Sequence, residues 1–125
     1  MLRDREYLAD ILESARLACQ YVAGKTKRQF LRDVQCQDSV IRRLEVIGEA
    51  ARRVSADGRA SMPELPWPQM VGLRNVMIHE YDAVDLTVVW DTVRKDLPPL
   101  IESLQSVVPP PPPEPEESCA ASERA

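Results

Sequence analysis

Arg74, His79 and Tyr81 fall within the eight residues RNVMIHEY, and His79 is the single histidine of the chain. Arginine carries a planar, permanently charged fork that matches two oxygens of a phosphodiester. Histidine, with an ordinary pKa of about 6.5, takes up or releases a proton at neutral pH. Together they suit cleavage of RNA without a metal. The imidazole would activate a ribose 2′-hydroxyl, and the guanidinium would offset the charge growing on the phosphate. A plainer account of the same spacing exists. Cationic side chains near a helix end complement its dipole, and a lone tyrosine often packs half-buried.

On a straight helix, with about 100° per residue, Arg74 and Tyr81 share a face while His79 lies roughly 140° away from Arg74. The groups converge only if the helix ends or distorts near His79, or if two subunits share the site. Asp82 and the short DAVD segment make an ending plausible.

The elements that must position this motif are helical. Leu8, Ile11, Leu12, Ala15, Cys19 and Val22 form one apolar stripe, which predicts a helix from about Asp4 to Ala23, stopped by Gly24. Thr26 is a candidate N-cap for TKRQFLRD, whose Phe30 and Leu31 are expected to cap the bundle. Val40, Leu44, Ile47, Ala51 and Val54 make a heptad-like seam in a helix spanning roughly Asp38–Ala56. In its middle, Gly48, Ala50 and Ala51 remove bulk, so a second helix, from this chain or another copy, can come close. ADGRASMPELPWP reads as a loop. The next helix starts near Pro68, turns Met70, Leu73, Val76 and Met77 inward, and carries the motif in its C-terminal half. Asp85 is a candidate N-cap for a last helix with Leu86, Val89, Trp90, Val93, Leu97, Leu100, Ile101 and Leu104 inward. Pro98 and Pro99 predict a kink or two abutting segments. No segment alternates like a strand. The expected architecture is all-α, an antiparallel bundle of four to five helices over residues 1–106, followed by a disordered, acidic, proline-rich tail over 107–125.

Composition narrows the function classes. The net charge is −4, but the tail holds four glutamates against one arginine, so the helical domain is close to neutral at −1. Bulk electrostatic binding of duplex nucleic acid is therefore not expected; any contact with RNA needs a local patch. Cys19, Cys36 and Cys119 form no CxxC pair, and one histidine does not complete a nitrogen–sulfur cage, so no metal and no cofactor is expected. Cys19 and Cys36 are read as reduced thiols packed as small hydrophobes. The opening MLRDREYLAD lacks a signal-peptide core, and no run approaches the ~20 apolar residues of a membrane helix. The expected location is cytoplasmic, with no membrane partner.

The series Arg74, Asn75, VMI, His79, Glu80, Tyr81 resembles the signature of the HepT-like HEPN-domain toxins. VIRRLEVIGEAARR is similar to that family's second main helix, VVWDTVRKDLPPLIESL to its last, and DREYLADILESA to its first. The resemblance covers residues 1 to about 105 and leaves the tail outside. It implies a homodimer in which two motifs share a cleft, acting as a metal-independent RNase toxin on tRNA or mRNA. It also implies a partner, an MNT-type nucleotidyltransferase antitoxin, that transfers AMP onto the motif tyrosine. By that carry-over Arg74 holds the scissile phosphate, His79 is the general base or acid, Asn75 supports the site and Tyr81 is the modified residue. An AMP phosphodiester beside Arg74 and His79 would compete with RNA phosphate.

Arg42, Arg43, Arg52 and Arg53 are candidates for an RNA-contacting surface. Arg43 and Arg53 are assigned instead to pairs with Glu45 and Glu49, which leaves Arg42 as the possible RNA contact. The near-neutral domain also fits an alternative, a non-catalytic helical subunit that partners a minimal nucleotidyltransferase. The small-residue seam fits a third, a dimerising adaptor.

Overall fold

The computed structural model describes the backbone of residues 2–77 and 85–108, and the side chains of residues 3–74 and 85–108. Expectations for the side chain of Asn75, for His79 and Tyr81, and for the tail beyond Val108 lie outside the described residues.

The first helix, α1 (Leu2–Val22), ends as Gly24 turns the chain with φ 77°. Its predicted stripe is buried, except that Ala18 takes the inner place beside a half-buried Cys19. A single turn follows, α2 (Lys27–Phe30), closed by a capping box. In it the Gln29 N–H donates to Thr26 Oγ1 at 3.1 Å, and the Thr26 N–H donates to Gln29 Oε1 at 2.9 Å. Phe30 is fully buried and meets Trp90 at 5.4 Å between ring centroids. Leu31 departs from expectation: it is 41% exposed, because it follows the turn that points Phe30 inward.

The central helix, α3 (Val34–Arg53), starts earlier than its apolar seam suggested. Asp33 caps it by accepting from the Cys36 N–H at 3.0 Å, and Gln37 Nε2 donates to Phe30 O at 2.9 Å. The seam residues Val40, Leu44, Ile47, Ala51 and Val54 are all buried. Hydrogen bonds at both ends make α1 and α3 antiparallel. Cys36 Sγ, near the start of α3, donates to Tyr21 O at 3.4 Å, near the end of α1. At the other end Ser55 donates from its N–H (3.0 Å) and its hydroxyl (2.6 Å) to the Asp4 carboxylate.

The stretch expected as loop contains a short helix, α4 (Ala56–Ala60), capped by Ser55 Oγ, which accepts from the Gly58 N–H at 2.9 Å. Arg59, reaching back, donates to Ala51 O and Arg52 O and satisfies the last carbonyls of α3. The chain then enters α5 (Trp67–Met77), whose Trp67 Nε1 donates to Met62 O at 3.0 Å. Met70 packs inward and Leu73 is half-buried.

The last rod is α6 (Leu86–Asp91), a π-helical stretch Thr92–Asp96 and α7 (Leu97–Gln105). Asp85 caps it, accepting from the N–H groups of Thr87 and Val88. Prolines 98 and 99 lack the N–H groups that a continuous α-helix needs there, and their rings crowd the carbonyls one turn back. The wide turn before them makes the room, with the Leu97 N–H reaching Thr92 O. Val89, Val93, Leu97, Leu100 and Leu104 still face one core. The protein is thus all-α, an antiparallel helical bundle, and among the described residues no helix is long and apolar enough to cross a membrane.

Candidate active site

Helix α5 crosses α3 at Gly48. A Cβ on Gly48 would stand 2.7 Å from the Arg74 backbone nitrogen and 2.9 Å from Arg74 Cβ. Only hydrogen fits, and so the crossing fixes where Arg74 leaves α5. The next residue of α3, Glu49, then meets the side chain: Arg74 Nε lies 3.7 Å from Glu49 Oε2. The other oxygen, Oε1, is shared by Arg53 Nε at 3.3 Å and Arg52 Nη2 at 3.7 Å. Three guanidiniums therefore surround one carboxylate.

Arg74, Glu49 and Arg53 line a cleft of about 470 Å³ between α1, α3 and α5. Val46 and Ala50 form part of its lining, with Tyr7 facing from α1 and Arg42 further along α3. The guanidinium of Arg3, and then that of Arg53, holds the Tyr7 phenol below its ordinary pKa by hydrogen bonding to its oxygen. The same bond from Tyr7, followed by Glu49, pushes the Arg53 guanidinium up. The lining of the cleft holds three arginines, Arg42, Arg53 and Arg74, and three acids, Asp10, Glu45 and Glu49.

Of the residues singled out by sequence, the structure brings Arg74 and Arg42 into one cleft. The backbone of Asn75 continues α5, its side chain lies outside the described residues, and so do His79 and Tyr81. Arg53 pairs with Glu49 as expected, but Arg43 does not pair with Glu45: its Nη1 donates to Ser14 Oγ at 3.4 Å. Two residues apart on a helix, side chains point to different faces, so the reach across to α1 wins. Tyr7 and the crossing role of Glu49 were not read from the sequence. Two signals were present: Tyr7 follows Arg3 at helical spacing, and Glu49 directly follows the glycine of the close approach.

Residues 11–107 match the family model described as "Ribonuclease HepT-like". Among similar proteins, "Putative RNase MJ1380" of Methanocaldococcus jannaschii is 37% identical over 82% of this chain and 94% of its own length. "Probable ribonuclease HepT" of Thermococcus cleftensis is 40% identical over 77% of this chain and 87% of its own. "Gamma-glutamylcyclotransferase and putative RNase MJ0434", also of M. jannaschii, is 37% identical over 82% of this chain but only 46% of its own length. No solved structure matches the chain significantly.

Proposed function

The chain belongs to the HepT-like ribonuclease family, and from that premise we propose that it is a metal-independent RNA endonuclease, the toxin of a type VII toxin–antitoxin pair. The observation that carries the reading is Arg74, set by a helix crossing into an open cleft that Arg42 and Arg53 also line. Its fork binds the scissile phosphate, and His79 takes the proton of the adjacent 2′-hydroxyl. The 2′-oxygen then attacks phosphorus, the bond to the 5′-oxygen breaks, and a 2′,3′-cyclic phosphate and a 5′-hydroxyl remain. A homodimer would supply a second His79 to protonate the leaving oxygen. Asn75 supports the motif by hydrogen bonding, and Arg42 holds RNA further along the cleft. An MNT-type nucleotidyltransferase partner silences the toxin by placing AMP on Tyr81, where added bulk and negative charge compete with RNA for Arg74.

The test is cleavage of tRNA and mRNA by the purified full chain in the presence of a chelator. Cleavage should leave the two ends named above and fall by about two orders of magnitude or more in His79→Ala, the scale expected for a lost general base. Co-expression with the partner should add AMP mass that disappears in Tyr81→Phe. A chain that cuts neither RNA but binds the partner tightly is the non-catalytic subunit instead.

A further inference from the structure

Resting on that reading of Arg74, we propose that Glu49 is a positioning residue for the RNA reaction: its carboxylate steers the Arg74 guanidinium by the Nε edge, so that the terminal Nη pair meets the scissile phosphate. Gly48 and Glu49 are consecutive, and they act on the same residue from two levels. The first fixes the Arg74 backbone and Cβ, through contacts that a side chain would push under 3 Å. The second lies 3.7 Å from the Nε of its guanidinium.

The two oxygens of Glu49 divide the work. Oε1 is held by Arg53 and Arg52 on its own helix, at 3.3 and 3.7 Å, and Oε2 faces α5. The carboxylate is therefore anchored from behind and cannot simply follow Arg74 wherever that side chain turns. The contact is made on Nε, whereas an end-on, bidentate phosphate uses the two terminal nitrogens. Glu49 and RNA thus occupy different edges of one guanidinium. The side chains are 34% and 42% exposed, which keeps the fork within reach of a strand lying in the cleft.

Without Glu49, a long side chain must find its catalytic orientation among several rotamers, and small misplacements of a reacting group are costly in rate. Substrate affinity should move the other way, because the variant removes a negative charge from a patch of arginines. A mere competitor for the arginines would behave differently: its removal would leave kcat unchanged or raise it.

The experiment compares wild type, Glu49→Gln and Glu49→Ala as full chains. A lower kcat is expected, by about 10-fold in Glu49→Ala, with KM for RNA unchanged or lower and the melting temperature little moved. In nitrogen-15 spectra the Arg74 Nε–H resonance, identified by its absence in Arg74→Lys, should shift in both variants. An unchanged kcat, a loss of rate that tracks a loss of folding, or an Arg74 resonance that stays in place overturns the proposal. A wild-type chain that cuts no RNA defeats the functional reading instead, and the resonance still reports whether Glu49 steers Arg74.

Discussion

Two corners of this molecule are each built from a glycine and an acidic residue and come out differently. Gly58 and Asp4 join α4 to α1, and a Cβ on Gly58 would collide with the Asp4 carboxylate and crowd Val54. Gly48 and Glu49 join α3 to α5, where the obstacle is the backbone of Arg74. Asp4 is buried and its oxygens accept from the N–H and hydroxyl of Ser55, both neutral donors. Glu49 is partly open and shares guanidiniums with no neutral donor among its described partners. A buried carboxylate satisfied by neutral donors holds helices together. One that shares half-exposed cations adds little stability, and is free to serve recognition.

The sharpest way to break this contrast is Gly48→Val. It inserts branched atoms against backbone that only moves with the whole of α5, and should cost about 3 kcal/mol, near the upper end for overpacking. Thermal or urea unfolding measures that cost, and RNA cleavage by the remaining folded fraction should fall as well. If cleavage survives with full stability, the crossing does not set Arg74.

Asp4→Ala should cost less, about 1–2 kcal/mol, because the Ser55 donors lose their acceptor near a surface that water can partly reach. Here the rate per folded molecule should stay at wild type, which separates the structural corner from the functional one. The pH dependence has a definite sign. The Ser55 hydroxyl first, and then its N–H, hold the Asp4 carboxyl below the ordinary carboxylate range. Its contribution is therefore complete above about pH 4, the unfolded value, and is lost as pH falls through the lower folded value. Acid unfolding of wild type and Asp4→Ala should converge there; parallel curves would deny Asp4 that role.

The smallest effect belongs to Arg42→Ala, in the lining of the cleft. Stability should hold to within about 0.5 kcal/mol. RNA affinity should drop a few-fold across sequences, with the salt dependence of binding reduced by about one phosphate contact. Unchanged salt dependence would remove Arg42 from the RNA path.

Local signals carried most of the fold. The α3 seam, the Thr26 and Asp85 caps and the break demanded by Pro98 and Pro99 depend on neighbours within a turn or two, and each is where the spacing put it. What the sequence hid depends on distant partners. The single turn of α4 is too short to register as a period and is braced by Asp4, 51 residues away from its cap. Of the site, Arg74 and Arg42 were legible as residue types with suitable chemistry. Their sharing of one cleft was not, because it arises from the angle at which α5 crosses α3. Glu49 looked like a solubilising partner of Arg53, and it is that too, but its second oxygen belongs to a contact no helical spacing encodes.

The two thiols of the described bundle carry a last consequence. Cys36 Sγ faces Tyr21 O, Cys19 Sγ faces Val93 O at 3.8 Å, and burial, above all else, pushes both thiols up from their usual range. Thiolate is therefore scarce at neutral pH, and it is thiolate that attacks electrophiles and exchanges with disulfides. Alkylating reagents and mild oxidants will find Cys19 and Cys36 slow to respond, and the covalent connectivity of the bundle persists through changes of redox surroundings that would re-wire a more acidic cysteine.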